Sequence, residues 1–222
     1  MTWKQMFTSS LGKKYIMGFT GFFLILFLIV HATINAFIFY DDQGATFNGI
    51  ARFMLINYFI RFLEIGLFIA LILHAIQGLM LWKQNRAARK IKYHVQKYPR
   101  EIKWSSRYMG WLGTFVLLYL VMHISQFWVH TKDELYFNGP EINLYQQMKV
   151  IFTNPIWFSL YMIGLASLLF HLLHGFQSAF QTFGINNRRV IPIVRGIGIG
   201  YSIVIVLLFA SMPIAFMVGW LQ

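Results

Sequence analysis

Residues 23–37 read FLILFLIVHATINAF, and this stretch decides the fold. It lies inside a run from Tyr15 to Phe39 that carries no Asp, Glu, Lys or Arg, yet it holds His31. At about 1.5 Å per helical residue, such a run crosses a hydrocarbon core of roughly 30 Å. A titratable side chain within a bilayer-length helix is costly and needs a partner, which makes it a functional residue by default. The pattern recurs three times. Residues 68–80 (FIALILHAIQGLM) carry His74, residues 116–128 (VLLYLVMHISQFW) carry His123, and residues 167–180 (SLLFHLLHGFQSAF) carry His171, with His174 one turn on. One such histidine per helix, four times over, points to a buried ligand.

Composition agrees. The chain has 222 residues, 58% hydrophobic and only 12% charged, with a mean hydropathy of +0.57. Those values are far from a soluble globular average. Five runs qualify as spans, at about 15–39, 56–82, 108–129, 155–183 and 197–220. The expected fold is an all-α integral membrane protein with a single membrane domain over 1–222. Its first four helices form a ligand-binding bundle, and the fifth lies outside it. Asn154–Pro155 supplies an N-cap and a first-turn proline for the fourth helix, and Pro213 kinks the fifth. Residues 40–55 read as a loop, as does the segment with Asp133, Glu134, Glu141 and the turn Asn138–Gly139–Pro140. There is no cysteine, which excludes disulfides, thiolate ligation and iron–sulfur ligation by this chain. The first apolar run is too long for a signal-peptide core and lacks a small-residue cleavage site.

Charge asymmetry sets the expected orientation. Lys4, Lys13 and Lys14, the nine Lys/Arg from Lys83 to Arg107, and Arg188, Arg189 and Arg195 fall on one side, fifteen of the nineteen basic residues. Arg52, Arg61, Lys132 and Lys149 fall on the other, beside most of the acids. The positive-inside rule then places the N-terminus in the cytoplasm and the C-terminus outside the cytoplasmic membrane. The net charge of +12 reads as topology plus a docking surface. Nucleic-acid binding, the usual reading of a basic chain, is not expected of one embedded in lipid.

Orientation turns position into depth. His31 and His123 lie about 15–16 residues from the inner ends of their helices, which places them in the outer half. His74 and His171 lie about 16–18 residues from the outer ends of theirs, which places them in the inner half. An iron with two axial imidazoles is six-coordinate and closed to external ligands, which suits electron transfer. Bundle cofactor sites are built from facing helices. The expectation is therefore two haems, an outer iron held by His31 and His123 and an inner iron held by His74 and His171.

Repeats support the pairing. Gly18, Gly21 and His31 share the spacing G-x-x-G-x9-H with Gly110, Gly113 and His123. His74 with Gly78, and His171 with Gly175, share H-x-x-x-G. A glycine four residues on lies on nearly the same helix face, where it lets a flat macrocycle approach. The glycines of the first and third helices fall near the depth of the other tier but off the ligand face, so they read as packing residues. The repeated offset favours His171 over His174. One intramembrane histidine, or a pair of small residues, often serves only as interhelical glue; four histidines in matched tiers do not fit that account. His94 and His130 read as solvated, and the Trp and Tyr near helix ends as interface anchors. Arg61 and Glu64, at i, i+3 spacing, read as a self-neutralising pair.

The stretch SSLGKKYIMGFTGFFLILFLIVHATIN (residues 9–35), with a histidine on each of the first four helices, resembles the cytochrome b membrane anchor of succinate dehydrogenases and fumarate reductases. The similarity is to the five-helix, dihaem, single-anchor kind and covers essentially the whole chain. HLLHGFQSAFQTFGI (residues 171–185) is similar to that family's H-x-x-N-G-x-x-S run, with His174 where the family often has asparagine. The resemblance implies two haem b groups. It implies a flavoprotein subunit that oxidises succinate in the cytoplasm and an iron–sulfur subunit that passes electrons to the inner haem. The outer haem would hand them to quinone, with menaquinone expected. Some fumarate reductases carry a glutamate beside the fourth-helix ligand; Leu168–Leu169–Phe170 stands here, which favours succinate oxidation. The N-terminus, the basic 83–107 stretch and Arg188–Arg189 would meet the iron–sulfur subunit and the haem propionates. Tyr58, Arg61 and Glu64 would lie by the quinone, with the carboxylate exchanging protons. Competing readings are a dihaem cytochrome b of the nitrate reductase type, which pairs its histidines on only two helices, a proton-relay transporter, for which Glu64 is the sole helix-embedded carboxylate, and an anchor whose histidines bind nothing.

Overall fold

The computed structural model describes residues 9–87, 104–138, 143–185 and 187–221. Most of the basic stretch, with His94, lies outside the described residues, as do Lys4, Gly139, Pro140 and Glu141. Helix α1 (Ser10–Ala36) starts at Ser9, whose hydroxyl accepts from Gly12 N at 3.0 Å, and ends in a 3₁₀ turn, Phe37–Phe39. A short helix α2 (Ala45–Ile56) precedes α3 (Tyr58–Ala87). The Asn57 side chain caps α3 by accepting from Phe59 N and Ile60 N. Helix α4 (Trp104–His123) runs on through a π-helical segment (Ile124–Val129), α5 (His130–Asp133) and a second π-helical segment (Glu134–Asn138). Helix α6 (Leu144–Phe152) leads to α7 (Pro155–Thr182) and α8 (Val190–Met217), the last with Pro213 inside it. The Asn154 side chain accepts from Ile156 N and Trp157 N, and Pro155 opens the first turn.

Five segments are long and apolar enough to cross a membrane: Leu11–Phe39, Tyr58–Ala87, Tyr108–Phe137, Pro155–Thr182 and Val190–Met217. The protein is an all-α integral membrane protein, and no strand occurs among the described residues. Within lipid, such helices associate through close packing and interhelical hydrogen bonds rather than through burial from water. Helix α1 packs on α3 and α7, α4 packs on α7, and α8 lies along α7 and α1. Ile25, Val116, Leu165, Leu172, Phe176 and Val206 lock α1, α4, α7 and α8 together. The Tyr201 hydroxyl adds a 2.8 Å hydrogen bond to the Ile25 carbonyl. Helices α3 and α4 meet near both ends of the span, through Trp82 with Trp111 at 5.6 Å and, just past α4, Phe68 with Trp128 at 5.0 Å.

Two expectations need correction. The stretches read as loops hold α2 and α6. Both are too short to register as spans, but each presents a buried face at helical spacing: Phe47 and Ala51 in α2, and Tyr145, Met148, Ile151 and Phe152 in α6. These faces close one end of the bundle against Ile38, Tyr161, Met212 and Phe216. The third span also continues to Phe137 instead of stopping near residue 129. The helix takes in Lys132 because that ammonium pairs with Glu64 at 3.2 Å.

Candidate functional site

Antiparallel packing brings the four histidines to one cavity of about 1070 Å³. That exceeds the roughly 300–1,000 Å³ of an ordinary small-ligand pocket. The ring centres of His31 and His123 lie 5.8 Å apart at an interplanar angle of 87°. Those of His74 and His171 lie 6.1 Å apart at 68°. His174 lines the same cavity one turn beyond His171.

The His31–His123 pair sits among aromatic rings. Phe27 stacks on His31 at 5.2 Å and Phe209 of α8 lies 5.6 Å from it. Tyr119 stacks on His123 at 5.9 Å, with Phe127 and Tyr161 at 5.2 and 6.2 Å. The Asn35 amide donates to the His31 carbonyl at 2.8 Å and lies 3.4 Å from His31 Nδ1. Around the other pair the polar contact is a hydroxyl: Thr20 Oγ1 lies 3.2 Å from His74 Nδ1. The Nδ1 atoms of His123 and His171 are buried without a hydrogen-bond partner. Being buried, they leave Nε2 as the nitrogen able to reach a ligand.

This donor set fits a haem. A bare metal ion in a structural site takes about four protein ligands, and no group of three or more His, Cys, Asp or Glu gathers among the described residues. Two imidazoles per site suit a group that brings its own in-plane donors, as a porphyrin does. A metal–imidazole bond of about 2 Å on each side, plus about 1 Å to each ring centre, requires centres roughly 6 Å apart. Both pairs meet that requirement.

The glycines take defined places. Gly21 and Gly113 lie against the imidazoles of the other tier. A Cβ on Gly21 would stand 3.3 Å from His74 Cε1, and one on Gly113 3.6 Å from His171 Cε1. Gly78 and Gly175 line the cavity, and there the tips of Met17 and Met109 approach them. Gly110 lets the Trp82 indole lie on its backbone, and Gly18 faces Thr182.

Arg61 and Glu64 do not form the expected intrahelical pair. Glu64 accepts from Trp128 Nε1 at 2.7 Å and from Lys132 Nζ at 3.2 Å, while Arg61 donates to the Tyr136 hydroxyl. The third span has turned its extended end towards α3, and cross-helix partners displace the local one. Glu64 lines the cavity. Tyr58 is exposed at the start of α3, away from the four imidazoles. His130 is a surface residue 3.6 Å from Glu134. Sequence reasoning missed Thr20, one of two threonines in the charge-free run and so a readable signal. It also missed Phe209 and Tyr161, which no spacing marks.

Against known proteins, one likeness fits this geometry. The chain is similar to the succinate dehydrogenase cytochrome b558 subunit of Bacillus subtilis (strain 168). The two are 28% identical over 162 residues, 72% of this chain and 73% of that protein. No protein-family model matches the chain, and no solved structure matches it.

Proposed function

We propose that this chain is the cytochrome b membrane subunit of a succinate:quinone oxidoreductase, and that the whole of it serves as one membrane domain. His31 and His123 hold one haem b, and His74 and His171 hold a second. The observation that carries this reading is the pair of imidazole pairs in a single intramembrane cavity, each with ring centres close to 6 Å apart. The likeness to a succinate dehydrogenase cytochrome subunit supports it independently. Haem held between two imidazoles supplies one-electron transfer and has no open position for oxygen.

The protein's own groups do the rest. Lys14 and Arg86, which line the cavity at the start of α1 and the end of α3, offer cations to carboxylates. The rings of Phe27, Tyr119, Phe127 and Phe209 keep water from the His31–His123 pair. Glu64, flanked by Lys132 and Trp128, can take up and release a proton beside a quinone, menaquinone being the expected one; Arg61 and Tyr58 are the other polar side chains on the opening turns of α3. The face carrying the basic N-terminus and loops lies in the cytoplasm and receives the iron–sulfur and flavoprotein subunits; the C-terminus lies outside. Purified protein should give a reduced-minus-oxidised b-type spectrum, close to two haems per chain by pyridine haemochrome, and should bring both soluble subunits with it. A colourless preparation would end this reading.

A further inference from the structure

The two halves of the chain repeat with one informative exception. Met17-Gly18-Phe19-Thr20-Gly21 in α1 and Met109-Gly110-Trp111-Leu112-Gly113 in α4 take matching places. A Cβ on Gly21 would lie 3.7 Å from His74 Nδ1, and one on Gly113 would lie 3.8 Å from His171 Nδ1, so the two glycines face the same edge of the two imidazoles. The tips of Met17 and Met109 likewise approach Gly78 and Gly175, each one turn past those histidines.

The residue before the second glycine breaks the match: Thr20 in one half, Leu112 in the other. Both are buried, at 4% and 8% exposure. The Thr20 hydroxyl lies 2.7 Å from the Ile16 carbonyl, which takes its only hydrogen. Towards His74 it can therefore only accept, and Nδ1 must carry the proton. Leu112 has nothing to offer, and His171 Nδ1 is without a partner.

We propose that Thr20 is a positioning residue for His74: it fixes the Nδ1–H tautomer, presents Nε2 to the ligand, and makes the inner site asymmetric. A hydrogen bond accepted from the far nitrogen orients a ligating imidazole and strengthens it as a donor. The proposal rests on the reading that His74 and His171 hold a haem.

The test is potentiometric titration of both haems in the purified complex, with the inner haem assigned as the one lost in His74→Ala. Thr20→Val keeps the shape and removes the acceptor, so the inner haem's potential should rise while the other stays fixed. Thr20→Ser should restore it. Leu112→Thr supplies the missing acceptor to His171 and should lower the potential of that same haem. Wild-type protein without haem would overturn the functional reading, and this proposal with it. Two haems retained with both potentials unmoved in Thr20→Val, or both moved alike, would overturn the proposal alone. Where Thr20→Val loses the haem, Leu112→Thr decides, and an unchanged inner potential there counts against the proposal.

Discussion

Asp42 and Gly44 turn the end of the first span into the start of α2. Asp42 Oδ2 accepts from Thr46 N at 2.8 Å and Oδ1 from Gly44 N at 3.1 Å. The hydrogen bonds from Thr46, chiefly, hold its carboxyl below the ordinary carboxylate range. A depressed carboxyl stabilises the fold above its unfolded value, and that contribution is lost as pH falls through the folded value. Thermal stability should therefore fall on acidification below about pH 4. In Asp42→Asn that part of the acid dependence should be absent, which parallel melts in detergent across the range would show. Gly44 adopts φ +82, and a Cβ there would lie 2.3 Å from the Tyr145 ring. Gly44→Ala should cost at least the roughly 1–3 kcal/mol of a left-handed non-glycine residue. Gly49→Ala, in open space within α2, should instead gain about 1 kcal/mol of helix propensity. A Gly44→Ala melt no lower than wild type would contradict the packing described. The glycine was visible in the sequence; its need was not, because Tyr145 reaches it from a helix a hundred residues away.

At the scale of elements, spans were readable because length and apolarity are local properties. Their ends were not. The third span runs eight residues past its expected end, to Phe137, because Lys132, only 8% exposed, finds Glu64 across the helix boundary. A charge run reads as solvated until its partner is known, and sixty-eight residues separate this pair. The same partner choice took Glu64 from Arg61. The contact is testable by a double-mutant cycle on Glu64→Gln and Lys132→Gln. Each single change leaves a poorly solvated group without its counterpart, so each should destabilise more than the double mutant's share. Coupling should fall in the range of about 0.5–3 kcal/mol seen for residues in contact. Additive effects would mean that the pair contributes no more than an exposed surface ion pair.

On the scale of the whole molecule, four helices of alternating direction convert position along the chain into depth, and depth alone predicts which histidine meets which. His31 and His123 come within 5.8 Å, and His74 and His171 within 6.1 Å, although the helices that bring them were unknown in arrangement. What depth cannot say is lateral: that α8 contributes Phe209 to the cavity, or that α1 rather than a neighbour in sequence supplies the hydroxyl beside His74. Those features depend on who packs beside whom. The two pairs give the sharpest molecular prediction. His31→Ala and His123→Ala should each remove the same haem, and His74→Ala and His171→Ala the other, as read by haem content and by which redox component disappears. Each site lies on a different pair of helices, α1 with α4 and α3 with α7, so loss at one should leave the other's spectrum in place. His31→Ala and His74→Ala removing one and the same component would mean that the pairs do not act as separate sites. His174→Ala removing the inner component while His171→Ala spares it would move that ligand one turn along α7.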